Sequence, residues 1–78
     1  MVTYKLIVNE GNIISYKYFP EGDIYSGTIS LNKNTKELID LELASSDIGD
    51  RYAVHVIEKI EDFIDKDDYK EKGMIAWY

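Results

Sequence analysis

The alternation of apolar and polar positions changes period once along the chain, and that change divides it. From Thr3 to Val8, Tyr4, Leu6 and Val8 share one phase while Thr3, Lys5 and Ile7 share the other, the mark of a strand with one buried face. "NEGN" at 9–12 follows, where Gly11 and Asn12 tolerate the positive φ of a tight hairpin. Ile13 to Phe19 is dense in β-branched and aromatic residues and stops at Pro20, which has no N–H to give a central ladder. "PEGD" is therefore expected to turn the chain into a third strand, Ile24 to Leu31, with Tyr25, Ile29 and Leu31 in phase. "NKNT" at 32–35 turns it again, and Lys36 to Ala44 sets Ile39, Leu41 and Leu43 against Asp40 and Glu42. Four strands joined by short turns predict an antiparallel meander.

After Ala44 the spacing lengthens. Ala53, Val56, Ile57, Ile60 and Ile64 recur at intervals of three and four, with Tyr52 and Phe63 at the margins, the stripe of a helix lying on a core. "SSDIGD" supplies N-cap residues, so the start falls between Ser46 and Asp50, the earlier choice implying a short extra turn before Gly49. The end is expected near Lys66, because the acids of "DKDDYKEKG" oppose the helix dipole there. Gly73 then releases "MIAWY" as a short fifth strand. In a meander the fourth strand runs opposite to the first, and a helix returning over the sheet delivers the fifth parallel to the fourth. Its natural seat is beside strand one. The expectation is an α+β fold in one compact domain, 1–78, with sheet order 5-1-2-3-4 and the helix across one face.

Composition sharpens this picture. A chain of 78 residues without cysteine has no disulfide to help it, and a domain of this size buries only about 60% of its unfolded surface. Its tyrosines or self-association must supply the margin. Tyr4, Tyr16 and Tyr18 lie in phase with apolar neighbours and are expected to face the helix. The other sheet face is mixed: Lys17, Asp40 and Glu42 stand among Ile13, Phe19, Ile24 and Leu38, an apolar patch suited to dimerisation or a partner. "MVTYKLIV" lacks the features of a signal peptide, and no apolar run approaches the ~20 residues of a membrane span. A cytoplasmic protein is expected.

The net charge of −6 disfavours direct binding of nucleic acid or anionic lipid. Residues 37–71 hold twelve acids against four bases, a net −8, whereas residues 1–36 carry +1. Along the helix, Glu58, Asp62 and Asp65 follow spacings of four and three with Glu61 beside them. That stripe is the expected surface for a basic protein partner.

Candidate chemistry is sparse. His55, the single histidine, falls beside the apolar stripe and reads as a boundary residue rather than a base. An EF-hand loop opened at Asp65 would need glycine at its sixth position and glutamate at its twelfth, which are Lys70 and Ala76. "EGDIYSG" lacks the Lys-Ser/Thr ending of a phosphate loop. No cofactor, metal or catalytic residue is expected. The sequence points to a small acidic, non-enzymatic protein-interaction module that binds itself, as a homodimer, or a basic partner. The alternative is a ligand-binding or enzymatic domain with a pocket between helix and sheet.

Overall fold

A computed structural model describes residues 1–77. Five strands, β1 (Val2–Glu10), β2 (Ile13–Pro20), β3 (Gly27–Asn32), β4 (Leu38–Glu42) and β5 (Lys72–Ile75), form one antiparallel sheet in the order β4-β3-β2-β1-β5. The helix α1 (Arg51–Lys66) covers one face. This is the α+β meander with a C-terminal strand beside β1 that the change of period predicts.

The buried side chains of α1 are Ala53, Val56, Ile60 and Phe63, spaced as the sequence stripe requires. They meet Val2, Tyr4, Ile14, Tyr16, Tyr18, Ile29 and Leu31 from the three middle strands. Each large apolar side chain so buried contributes about 1.5 to 3 kcal/mol. Three rings, Tyr4, Tyr16 and Phe63, pack with centroids 5.7 to 5.9 Å apart, within the range of favourable aromatic pairs. The Tyr16 hydroxyl leaves the core by donating to the Lys70 carbonyl at 2.6 Å, which ties the α1–β5 connection to the sheet.

Two glycines make room for tyrosines. Gly27 pairs with Tyr18 across β2–β3, and a Cβ on it would lie 2.3 Å from the Tyr18 ring and 2.5 Å from the Glu42 carbonyl oxygen. Gly73 pairs with Tyr4, where a Cβ would lie 2.3 Å from the Tyr4 hydroxyl. Both mark a close approach that any side chain would block. Through the first, the Tyr18 hydroxyl accepts from the Ala44 N–H at 3.0 Å and donates to the buried Asp47 carboxylate at 2.7 Å. Asp47 in turn accepts from the N–H groups of Tyr52 and Ala53, each at 3.0 Å. One carboxylate thus satisfies two orphan donors of the helix start and fixes it to the sheet.

Several boundaries differ from expectation. "PEGD" is a turn, closed by Asp23 N–H donating to the Pro20 carbonyl at 2.9 Å. The strand after it begins at Gly27 rather than Ile24, because Glu21 and Gly22 both take positive φ and the Asp23 carboxylate accepts from the Ile24 N–H, holding 21–26 off the ladder. Tyr25, expected inward, is therefore 56% exposed. A bulge between Leu6 and Val8 moves Val8 to the face of Ser15, and another sets Leu38 opposite Leu31 and leaves Ile39 unmatched. Each is the single extra residue that flips alternation. At this sheet edge Ile39 and Leu43, expected inward, are exposed. A 3₁₀ turn at Ile48–Asp50 precedes α1, with Gly49 and Asp50 both left-handed. The fifth strand starts earlier than expected, at Lys72, and of the residues assigned to it Tyr78 lies outside the described residues. Trp77 leaves the strand and packs on α1, stacked at 3.8 Å on His55 and edge-on to Tyr52.

Candidate functional site

Because Tyr4, Leu6, Tyr16 and Tyr18 point to the helix, alternation sends Lys5, Lys17 and their row neighbours to the uncovered face. Strand pairing then decides who stands beside whom. Lys5 is directly opposite Lys17 on β2 and opposite Lys72 on β5. Three ammonium groups thus line up across three adjacent strands, on strands ~4.8 Å apart. All three are exposed, and among the described residues none of them joins an ion pair. Like charges in directly opposed positions destabilise a sheet, so the row costs the free protein stability.

The next row on the same face is apolar. Phe19 opposes Thr3, and Thr3 opposes Met74. These side chains, with Lys5 and Lys72, line a shallow depression of about 570 Å³. A second cavity, of about 380 Å³, lies at the β1–β5 edge against Lys5, Leu6, Glu71 and Lys72. At the opposite side of the sheet the sign reverses: Glu42 opposes Thr28 and Asp40 opposes Ser30. Between the two charged sides, the Ser15 and Ser30 hydroxyls share a hydrogen bond of 2.6 Å. The uncovered face therefore grades from acid on β4 to base on β1 and β5.

The acidic helix stripe is partly neutralised within the chain. Lys66 bridges Asp62 at 3.1 Å. Lys36 reaches over from the β3–β4 turn to Asp65, and that hydrogen bond, with the charges of Asp65 and Glu61, raises the lysine's pKa. Glu58 is exposed and makes no ion pair among the described residues. The apolar positions singled out from the sequence do not come together. Phe19 lies half-buried on the uncovered face, Ile24 is 83% exposed on the 21–26 connection, and the β4 bulge puts Leu38 on the Leu31 side of the sheet.

The Tyr16 and Tyr18 phenols belong to the packed core. Burial raises the pKa of the Tyr16 and Tyr18 phenols well above the ordinary value. Glu21 accepts from the Met1 ammonium and from the Tyr52 hydroxyl, and both contacts, the ammonium first, hold its carboxyl below the usual range. Among the described residues, no group of three or more acidic or histidine side chains is placed to hold a metal ion, and no helix is long and apolar enough to cross a membrane.

Comparison of the chain with protein-family models, with curated proteins and with solved structures finds no match.

Proposed function

We propose that the protein is a small non-enzymatic interaction module that binds itself or another protein through the sheet face its helix leaves uncovered. The observation that carries this reading is the row Lys17, Lys5 and Lys72, three opposed cations without an acid partner among the described residues, set against the apolar depression at Phe19, Thr3 and Met74. An arrangement that costs stability in the free chain is relieved when a partner brings carboxylates over it. The depression beside it takes an apolar side chain, which supplies the desolvated contact that charge pairing alone lacks.

The helix stripe has less to offer a basic partner, since Asp62 and Asp65 already hold lysines of the same chain. A ligand pocket between helix and sheet draws no support from the packing. That space is filled by the Tyr4, Tyr16 and Phe63 cluster, and among the described residues no buried side-chain polar atom lacks a partner.

Capture with three baits tests the reading: wild type, Lys5→Glu/Lys17→Glu/Lys72→Glu, and Glu58→Lys/Asp62→Lys/Asp65→Lys. Proteins held by the wild type should be lost from the first variant and kept by the second. The reverse pattern would move the working surface to the helix and make the partner basic.

A further inference from the structure

The uncovered face carries both halves of a complementary pair. One row reads Glu42, Thr28, Lys17, Lys5, Lys72 from β4 to β5, each residue directly opposite the next. Asp40 lies beside Glu42 on the acidic side, one row further along. A surface that is acidic at one side and basic at the other matches itself only under particular symmetry. When two sheets pack face to face, the two-fold axis lies in the plane between them. An axis across the strands sets β4 on β4 and repels at both sides. An axis along the strands exchanges the sides and sets acid over base twice. Either axis keeps the strands of the two sheets nearly aligned, the common packing of two sheets, so the charges decide between them.

We propose that a second copy of this chain occupies the uncovered face, related by a two-fold axis that runs along the strands between β2 and β3. This rests on the reading that the open sheet face is the working surface, and adds what covers it. In that arrangement Glu42 of each copy lies over Lys5 of the other, and Lys17 lies over Thr28 instead of over its own counterpart. Lys72 overhangs the acidic side within reach of Asp40 and Glu42. The 21–26 connection, with Ile24 and Tyr25 exposed, comes to the level of the Phe19 and Thr3 row of the other copy, since Gly27 pairs with Tyr18 one position before Phe19. Because that connection joins β2 to β3, it lies on the axis, and the exposed Ile24 and Tyr25 of the two copies meet there.

The footprint sets the strength. Five strands ~4.8 Å apart and about six residues long at ~3.3 Å each present roughly 400 Å² of projected face. A standard interface uses about 800 Å² per partner. The dimer is accordingly weak, and much of its stability is ionic, so added salt at about 1 M, where the screening length falls to ~3 Å, dissociates it.

Sedimentation velocity on three proteins, taken up to about 1 mM, tests this. Wild type should form a reversible dimer that salt removes. Asp40→Lys/Glu42→Lys makes both sides of the face basic, and Lys5→Glu/Lys72→Glu makes both acidic, so each alone should sediment as a monomer. Mixed at equal concentration they should form a heterodimer, because introduced acids then lie over introduced bases and native acids over native lysines. That rescue also shows that both variants are folded. A wild type that stays monomeric at every concentration, or variants that each dimerise unchanged, or a mixture that fails to associate, would each overturn the arrangement. If the wild type stays monomeric but binds a poly-glutamate peptide, and Lys5→Glu/Lys72→Glu does not, the second copy is wrong as occupant while the face remains the working surface. The same pattern with a single-stranded oligonucleotide would overturn a protein occupant altogether.

Discussion

The two faces of the sheet obey opposite rules. On the face under α1, the Tyr16 and Tyr18 hydroxyls find hydrogen-bond partners, and Gly27 and Gly73 clear space for the rings of Tyr18 and Tyr4. On the other face three lysines stand in register and join no ion pair among the described residues, although the chain carries an excess of acids overall. Glu71 lines the edge cavity with Lys5 and Lys72 but pairs with neither, and Asp40 and Glu42 stand on β4, at the far edge of the sheet from Lys72. One face has been settled by folding. The other keeps three opposed lysines that join no ion pair among the described residues.

The largest expected effect breaks the comparison at adjacent residues. Tyr16→Ala should cost about 3 to 5 kcal/mol, as other large aromatic truncations in cores do, while Lys17→Ala one position on should stay within about 0.5 kcal/mol of wild type. Urea unfolding of the two variants measures both. Equal losses would mean that the uncovered face contributes as much to the stability of the fold as the buried one.

Asp47→Ala comes next. It strips the acceptor from the Tyr52 and Ala53 N–H groups and from the Tyr18 hydroxyl together, and a buried donor left unpaired costs about 1 to 3 kcal/mol. Tyr18→Phe, which leaves the two helix N–H bonds in place, should cost less. A Tyr18→Phe loss larger than that of Asp47→Ala would show that the hydroxyl's acceptance from Ala44, not the helix cap, dominates this network.

The buried phenols add a pH dependence. Burial raises the folded-state pKa of Tyr16 and Tyr18, so their protonated forms are favoured by folding. The contribution is fully present below the unfolded value of about 10 and is lost as pH rises through and beyond it, because the unfolded chain gives up its protons first. Urea midpoints should therefore fall above about pH 10, and Tyr18→Phe should make that fall shallower. An unchanged slope would place the alkaline sensitivity elsewhere.

Much of the buried face is legible in the sequence because it depends on periodicity alone. The stripe Ala53, Val56, Ile60, the inward phase of Tyr4, Tyr16 and Tyr18, and the seat of β5 beside β1 all follow from spacing and chain direction. The uncovered face is not legible, since its pattern exists only once strands are paired. Lys5, Lys17 and Lys72 are scattered along the chain, and summing charge by halves hides a row that forms across strands. Alternation with Tyr4 and Tyr16 already turns Lys5 and Lys17 outward, and that signal lies in the sequence; their register does not. The bulges at Ile7 and Ile39 are one-residue slips that leave regular alternation on both sides in the sequence, which is why alternation alone puts Leu38 on the wrong face. Asp47 is one of the residues able to cap the helix, but its burial against Tyr18 depends on the space above Gly27, a contact between distant segments.

The smallest effect bears most directly on the claim that the lysine row is unrelieved in the free chain. Thermal unfolding at low salt, at a dilution where the protein is monomeric, should show Lys5→Gln more stable than wild type by about 0.5 kcal/mol, a rise in Tm of roughly 2 to 4 °C for a domain this small. The same substitution made after Lys17→Gln and Lys72→Gln removes an equal charge from an acidic chain but has no opposed lysines left to relieve. There the gain should disappear, and the difference between the two backgrounds isolates the row. A Tm that falls on Lys5→Gln, or a gain equal in both backgrounds, would contradict the account: the three lysines would then be ordinary solvated surface, and nothing on that face would be waiting for a partner.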